Sequence, residues 1–296
     1  MTDFKALKAY LSDFFDEFSY PRDDARVLTS AYDGIVSSPE AAAHLTGCLD
    51  AYEKDYRTDY HYILGESAKM AEIIGAHSYT TDLLVYILLS HRLWELYAER
   101  GYPREVWHRS MCDLKYKLDE CRIVKGIVGS FVAGWFSGFF TLDRFGLGRL
   151  QFELVDFDRE YGVLKPGDRV INIHIPRDGT HIDPESCRDA YLKAKEWFRD
   201  EATDYDGKKA FRCSSWVIYP GILPALKETS NVRRFTESFD IYDVSEYPDT
   251  RDLWRLFDTD ETDPNRLPAD SSLRRAYIDR LRAGLPLGSG KGILFI

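Results

Sequence analysis

Apolar residues recur at helical spacing through the first 125 residues of the chain. Phe4, Leu11 and Phe18 share one face of a first predicted helix, and residues 82–100 carry the strongest pattern of this kind. The run Ser38-Pro39-Glu40 supplies a capping hydroxyl, a proline at the first helical position and an acidic residue at the positive end of the helix dipole. These patterns predict an all-helical N-terminal domain over residues 1–125.

Beyond residue 125 the apolar period changes from helical spacing to alternation. Apolar and polar side chains alternate along residues 150–157, which is typical of a strand with one buried face. Further strands are predicted over 169–175, 211–219, 241–244 and 293–296, with a helix that begins at Asp183-Pro184-Glu185 and reaches Phe198. Because helices separate the strands, the fold class is α/β or α+β, with a second domain over residues 126–296.

Residues 126–142 carry no charge and repeat a small residue every four positions, at Ser130, Gly134 and Gly138. Such spacing can pack membrane helices. The run is short for a span of about 20 residues, and its glycines weaken a helix. We therefore expect a buried helix end that leads into a buried strand, and no association with a membrane.

The chain of 296 residues has 39 basic and 49 acidic side chains, which gives a net charge of −10. This balance excludes a general electrostatic affinity for nucleic acid and disfavours docking on an anionic membrane. The five cysteines form no CxxC pair and no HExxH motif occurs, so no metal site is predicted. Reduced thiols in a chain of this length indicate a cytoplasmic protein.

Two motifs suggest a ligand site but fail on spacing. Gly288-Ser289-Gly290-Lys291-Gly292 lacks both the first glycine and the hydroxyl residue of a Walker loop, so a flexible turn before the last strand is expected. Residues 258–263 are similar to the start of a calcium loop but lack the glycine and the final glutamate of an EF-hand. A solvated acidic loop is the better interpretation.

Polar side chains follow two of the predicted strands. Asn172 and His174 share one face of the second strand, and Arg149, Gln151 and Glu153 form a similar row on the first. If the two strands are neighbours, the rows make one floor on which Glu153 or His174 could accept a proton. The alternative is a solvated sheet face or a satisfied buried ion pair.

Residues near the end of the third strand each have two interpretations. Cys213 is either a small core residue or a nucleophile, and Tyr219 is either a core ring or an exposed general acid before Pro220. A hydrolase that pairs His174 with Cys213 or Ser215 is a further possibility, which requires hydrogen-bond reach between the two groups.

The segment from Arg144 to Glu153 is similar to the most recognisable stretch of a bacterial acyltransferase family. That family has a helical N-acyltransferase N-terminal domain and a GNAT-like C-terminal domain. Further segments carry the resemblance in the same order along about residues 80–296: Arg100 to Val106, Ile173-His-Ile-Pro176, Asp183 to Cys187, Cys213-Ser-Ser-Trp216, Ser230-Asn231 and the final glycine-rich stretch. One position departs from the family, because Ser214 stands where the family favours histidine.

The resemblance implies an α+β fold, with a GNAT-like mixed sheet flanked by helices after the helical domain. It also implies an enzyme that moves an acyl group from acyl-CoA to the amine of a small molecule. The catalytic residues would be Glu153, His174 and Tyr219. The acyl-CoA would be bound by Arg149, Arg177 and Gly179. The substrate would be bound by Gln151, Asn172, Cys213, Ser215, Trp216 and Asn231.

The predicted helix start at residue 183 is an unusual place for a CoA pyrophosphate. Such a group usually rests on backbone amides at a helix start that follows a glycine-rich turn. Here Asp183 and Glu185 would repel the phosphates, and Pro184 removes one amide donor. A GNAT-like protein that binds a small ligand without turnover is therefore the alternative to an acyltransferase.

Overall fold

The computed structural model describes residues 2–248, 250 and 253–296. The chain forms two compact units, residues 1–145 and residues 146–296. Helices make up most of the first unit, and a mixed sheet flanked by helices makes up the second. The α+β class predicted from the sequence is confirmed.

Long helices dominate the described part of the first unit. They are α1 (Phe4–Glu17), α2 (Arg22–Ser37), α3 (Pro39–Lys54), α4 (Tyr60–Ile74), α5 (Ser78–Glu99) and α6 (Arg104–Lys125). The Ser38 side chain caps α3 by accepting a hydrogen bond from the amide of Ala41, as its sequence predicts. Helix α5 is buried over most of its length, because its apolar residues extend around the helix.

The uncharged segment after α6 folds with the helices. It contains a 3₁₀ turn, Ala133–Phe136, and the short helix α7 (Ser137–Phe140), where a buried strand was expected. The Tyr52 hydroxyl donates to the carbonyl of Phe140, which ties this segment to α3. The first unit thus extends to residue 145, beyond the boundary predicted at residue 125. No helix in the described ranges is both long and apolar enough to cross a membrane.

The described strands form one mixed sheet. They are β1 (Arg144–Leu147), β2 (Leu150–Asp156), β3 (Arg169–His174), β4 (Asp204–Tyr205), β5 (Lys208–Ser215), β6 (Asp240–Tyr247) and β7 (Leu287–Phe295). Their order is β1-β2-β3-β5-β7-β6, and β4 pairs with β5. Strands β3 and β5 are parallel, whereas β2 with β3, β5 with β7 and β6 with β7 are antiparallel.

Helix α8 (Pro184–Trp197) connects the parallel strands β3 and β5. It packs on one face of the sheet through Tyr191, whose ring centroid lies 5.4 Å from that of Phe211 and 6.4 Å from that of Phe152. Two 3₁₀ turns, Trp216–Ile218 and Pro220–Ala225, follow β5. The remaining described helices of this unit are α9 (Asn231–Glu237), α10 (Leu253–Phe257) and α11 (Ser272–Arg282).

The glycine-rich stretch expected as a flexible turn is instead part of β7. Gly288, Gly290 and Gly292 share one face of this strand, because side chains alternate along it. A Cβ atom at residue 290 would lie 2.3 Å from the carbonyl oxygen of Ile218, and one at residue 288 would lie 2.4 Å from the Tyr219 ring. Glycine is therefore required for the chain after β5 to cross directly over β7.

We predict that Gly290→Ala lowers the free energy of unfolding by about 3 kcal/mol, because the added methyl group meets backbone that cannot rotate away. Ser289→Ala is the matched control, since its side chain lies on the opposite face of the same strand. Urea unfolding of both variants, followed by circular dichroism, measures the difference. Equal stability of the two variants would contradict the close crossing.

Burial raises the pKa of Asp82 on α5 to about 6. The folded protein therefore binds this proton more tightly than the unfolded chain, whose Asp82 has the ordinary pKa of 3.8. As a result, the contribution of Asp82 makes the free energy of unfolding fall as the pH rises from about 4 to about 6.

Removal of this carboxylate should stabilise the protein only where the carboxylate is ionised. We predict that Asp82→Asn raises the free energy of unfolding by about 2 kcal/mol at about pH 7.5 and changes it little at about pH 4. Asp50→Asn, at an exposed position of α3, is the control. Denaturant unfolding at both pH values tests this, and a gain that does not depend on pH would refute it.

Candidate functional site

The pairing of β2 with β3 brings the two predicted polar rows together. Glu153 lies opposite Asn172, and Gln151 lies opposite His174. The His174 Nε2 atom is 2.7 Å from Glu153 Oε1. The His174 side chain is 21% exposed and that of Glu153 is 18% exposed, so a small molecule can reach the pair. A histidine held by a carboxylate in this way is suited to proton transfer.

Asn172 and Arg212 extend this pair into a longer hydrogen-bonded row. The Asn172 amide nitrogen lies 3.3 Å from Glu153 Oε1, and its oxygen accepts a 3.2 Å hydrogen bond from Arg212 Nη1. Arg212 Nε in turn donates to the Tyr242 hydroxyl at 3.2 Å. The parallel register of β3 and β5 produces this contact, since it places Asn172 beside Arg212.

Neither Arg212 nor Tyr242 was predicted from the sequence. The available signal was an arginine between Phe211 and Cys213 in a strand that is otherwise apolar at this point. The contact of Arg212 with Asn172 follows only from the β3–β5 register, and these two strands are separated in sequence by α8 and β4.

Cys213 faces away from His174. Arg212 contacts Asn172 on the His174 face, so the next residue of the strand points to the face covered by α8. Cys213 is fully buried there, and burial raises the pKa of its thiol to about 12. The hypothesis of a nucleophilic Cys213 beside His174 is therefore wrong. The Ser215 hydroxyl accepts a 3.1 Å hydrogen bond from the Val217 amide, which starts the first 3₁₀ turn.

Tyr219 is not the exposed acid that its position before Pro220 suggested. The residue is wholly buried, because the chain after β5 presses its ring against Gly221 and Gly288. Its hydroxyl donates to the Glu246 carboxylate and accepts a 2.6 Å hydrogen bond from Arg280 Nη2. Burial raises its pKa to about 12. Tyr219 therefore joins β6 to α11.

Trp216 packs against an apolar cluster formed by α10, α11 and the start of β7. Its ring meets that of Tyr277 edge to face at 6.1 Å. Together with Leu253, Leu256 and Leu287 it lines a small apolar pocket. The structure therefore places Trp216 among apolar residues.

The residues predicted to bind acyl-CoA lie in or beneath the loop between β3 and α8. Arg149 is almost buried and donates to the carbonyls of Pro176 at 3.1 Å and Thr180 at 3.2 Å. Arg177 forms a 2.8 Å ion pair with Asp258. Gly179 has a φ of +80°, a left-handed conformation that glycine adopts readily. Arg149 and Arg177 thus already form hydrogen bonds or ion pairs with other groups of the protein.

The start of α8 is occupied by a side chain of the protein itself. The Asp183 carboxylate accepts hydrogen bonds from the amides of Glu185 at 3.1 Å and Ser186 at 2.9 Å. It also accepts one from the Ser186 hydroxyl, which lowers the pKa of Asp183. Two backbone amides that could meet a phosphate are therefore already bound to an ionised carboxylate.

A pocket lies between the start of α8 and α9, on the face of the sheet opposite Glu153 and His174. It encloses about 340 Å³ when its open mouth is included. Ile182, Cys187 and Tyr191 line its α8 side, and Asn231 and Arg234 line its α9 side. Asn231 is the one predicted substrate residue that the structure places here. The described residues contain no cluster of His, Cys, Asp or Glu side chains that could hold a metal ion.

Comparisons with known proteins agree with this architecture. Residues 9–142 match the N-acyltransferase N-terminal domain, and residues 145–294 match the GNAT-like C-terminal domain. No curated protein sequence matches the chain significantly.

Three similar solved structures are crystal structures of acyltransferase. The complex with decanoyl-CoA is 20% identical, covers 96% of this chain and 86% of its own, and has a TM-score of 0.76. The complex with decanoyl-CoA and teicoplanin is 20% identical, with coverages of 96% and 87% and a TM-score of 0.74. A mutant in complex with octanoyl-CoA is 19% identical, with coverages of 96% and 86% and a TM-score of 0.73. At this identity the likeness shows a shared fold.

The two family matches follow one another along nearly the whole chain, in the order of the two compact units. The helical unit and the mixed sheet each have the architecture expected from the resemblance. The chain therefore belongs to the two-domain N-acyltransferase family, in which a helical N-acyltransferase N-terminal domain precedes a GNAT-like C-terminal domain.

Proposed function

We propose that this protein transfers an acyl group from an acyl-CoA thioester to the amine of a small molecule. The arrangement around the ends of β3 and β5 carries the proposal. Their pairing ends at Ile173 and Cys213, while β5 continues to pair with β7 as far as Ser215. Strand β5 thus runs two residues beyond its last pairing with β3, at the point where the pocket lies on one face of the sheet and the Glu153–His174 pair lies on the other. In this proposal the thioester arm enters from the pocket and reaches His174 past the end of β3.

The pair supplies what the reaction requires on the acceptor side. His174 takes a proton from the ammonium form of the acceptor, which frees the amine lone pair, and Glu153 orients the ring and stabilises the imidazolium that forms. The amine nitrogen then bonds to the thioester carbonyl carbon, and the carbon–sulfur bond breaks. Its electron pair leaves with sulfur, which takes the second proton released by the attacking nitrogen and departs as free CoA. Asn172 and Arg212 hold Glu153 in place during proton transfer.

The structural neighbours suggest the kind of donor and acceptor. Acyltransferases of this fold bind decanoyl-CoA and octanoyl-CoA, and one complex also contains teicoplanin. A medium-chain acyl-CoA is therefore the donor to test first, and a small molecule with a free amine is the acceptor. The net charge of −10 argues against a nucleic-acid substrate. Five free cysteines favour a reducing, cytoplasmic setting for the reaction.

One observation favours the alternative of a binding protein without turnover. The Asp183 carboxylate occupies amides at the start of α8 that a CoA pyrophosphate would otherwise use. Titration calorimetry with decanoyl-CoA and with free CoA separates the possibilities when it is followed by a thiol-release assay with amines. Micromolar binding and release of CoA thiol support acyl transfer. Binding without release under any amine supports the alternative, and no binding at millimolar ligand removes acyl-CoA as the donor.

Variants of the acid–base pair test the mechanism. We predict that His174→Gln lowers kcat by about 10² to 10⁴-fold with little change in KM for acyl-CoA, because it removes the proton acceptor but leaves the pocket intact. Glu153→Gln should lower kcat less, by about tenfold, since the histidine stays in place. Asp156→Asn, an exposed acidic position on the same strand, is the control. An undiminished kcat in His174→Gln would rule out this base.

A further inference from the structure

Tyr191 of α8 places a buried hydroxyl at the pocket between α8 and α9. The residue is 5% exposed, and its hydroxyl has no hydrogen-bond partner among the residues that the structure describes. Burial raises its pKa far above the usual value, so the hydroxyl keeps its proton. An unsatisfied buried hydroxyl is costly. Since Tyr191 lines the pocket between α8 and α9, a ligand bound there can supply the missing acceptor.

The two sides of this pocket differ in charge. Asp183 on the α8 side is ionised and already bound to its own amides and to Ser186. Arg234 on the α9 side is exposed, and within the described part of the chain no ion pair neutralises its guanidinium. Arg149 and Arg177, by contrast, are paired with Asp178 and Asp258. An anionic group at this mouth is therefore repelled by the α8 side and attracted by Arg234.

The other residues that line the pocket indicate which further chemical groups a complementary ligand carries. Ile182, Pro184 and Phe235 give the pocket apolar surface between Tyr191 and Arg234. The complementary molecule has an apolar arm, a neutral hydrogen-bond acceptor for Tyr191, and a phosphate for Arg234. Guanidinium groups bind phosphate oxygens through two parallel hydrogen bonds, which makes arginine a strong anchor for this group.

We propose that a phosphate of the acyl-CoA donor binds to Arg234 of α9 in place of the amides at the start of α8. The Tyr191 hydroxyl donates to an amide carbonyl of the pantetheine arm. This inference rests on the proposed use of acyl-CoA. It makes Arg234 and Tyr191 binding residues for the donor, with no part in proton transfer.

Calorimetric titration with pantetheine, phosphopantetheine and CoA tests the two contacts separately. Arg234→Gln should weaken binding of CoA and phosphopantetheine by at least about tenfold and leave pantetheine unchanged, because only the first two carry phosphate. Tyr191→Phe should weaken all three ligands by about threefold to tenfold, the worth of one neutral hydrogen bond. Arg188→Gln, an exposed arginine of α8 that does not line the pocket, is the matched control and should bind like the unaltered protein.

Thermal unfolding separates a binding role of Tyr191 from a structural one. Loss of an unsatisfied buried hydroxyl should leave the Tm of Tyr191→Phe unchanged or raise it, even though binding weakens. A lower Tm in proportion to the lost affinity would overturn the assignment of Tyr191. If the unaltered protein binds CoA and Arg234→Gln binds it equally well, the phosphate anchor is wrong while the proposed function stands. If the unaltered protein binds none of the three ligands, both proposals fail.

Discussion

The parallel pairing of β3 with β5 sets which side chains of the second unit can act together. One register places Asn172 beside Arg212 on one face of the sheet and Ile173 beside Cys213 on the other. Because alternate residues of a strand face opposite sides, a shift by a single residue would exchange the two faces. The same pairing keeps a polar row with His174 on one side and an apolar surface under α8 on the other. The polar row and the pocket beside α8 are thus separated by one layer of backbone.

In the loop after β3, an arginine and backbone amides of the kind that bind the ligand in phosphate-binding loops are bonded within the protein instead. Arg149 lies beneath it and binds two of its carbonyls, and the Asp183 carboxylate takes the amides at its end. These internal bonds satisfy groups that would otherwise need water or an anion. The loop therefore has a defined shape of its own, and positive charge for a ligand comes from the neighbouring helix α9.

The parts of the site that were predicted from the sequence are those that depend on a local period. Alternation on β2 and β3 identified Glu153, Asn172 and His174, and the two strands are consecutive, so their pairing was a reasonable expectation. Arg212 depends on a register across α8, which no local pattern contains. Helices of the first unit were predictable because apolar residues recur in them at helical spacing.

The predictions from the sequence were wrong where the path of the chain in space, and not its local residue pattern, decides whether a residue is buried. Pro220 marks the end of a strand, but it does not say that the following turn buries Tyr219. The glycines of β7 suggested a flexible turn, because the sequence does not show that the segment after β5 crosses them closely. Residues 126–145 have neither a helical nor an alternating period, so their grouping with the helices was not visible in the sequence.

The position of β7 has a consequence for the order of folding. This strand lies between β5 and β6, and in the described sheet β6 is joined to the other strands through β7. During synthesis on the ribosome, β5 and β6 therefore remain unpaired along these edges until residues 287–295 have emerged. Pairing over such separations in sequence is slow, and open strand edges favour aggregation. The second unit should thus depend on chaperones during synthesis more than the helical unit, whose contacts are largely between consecutive helices.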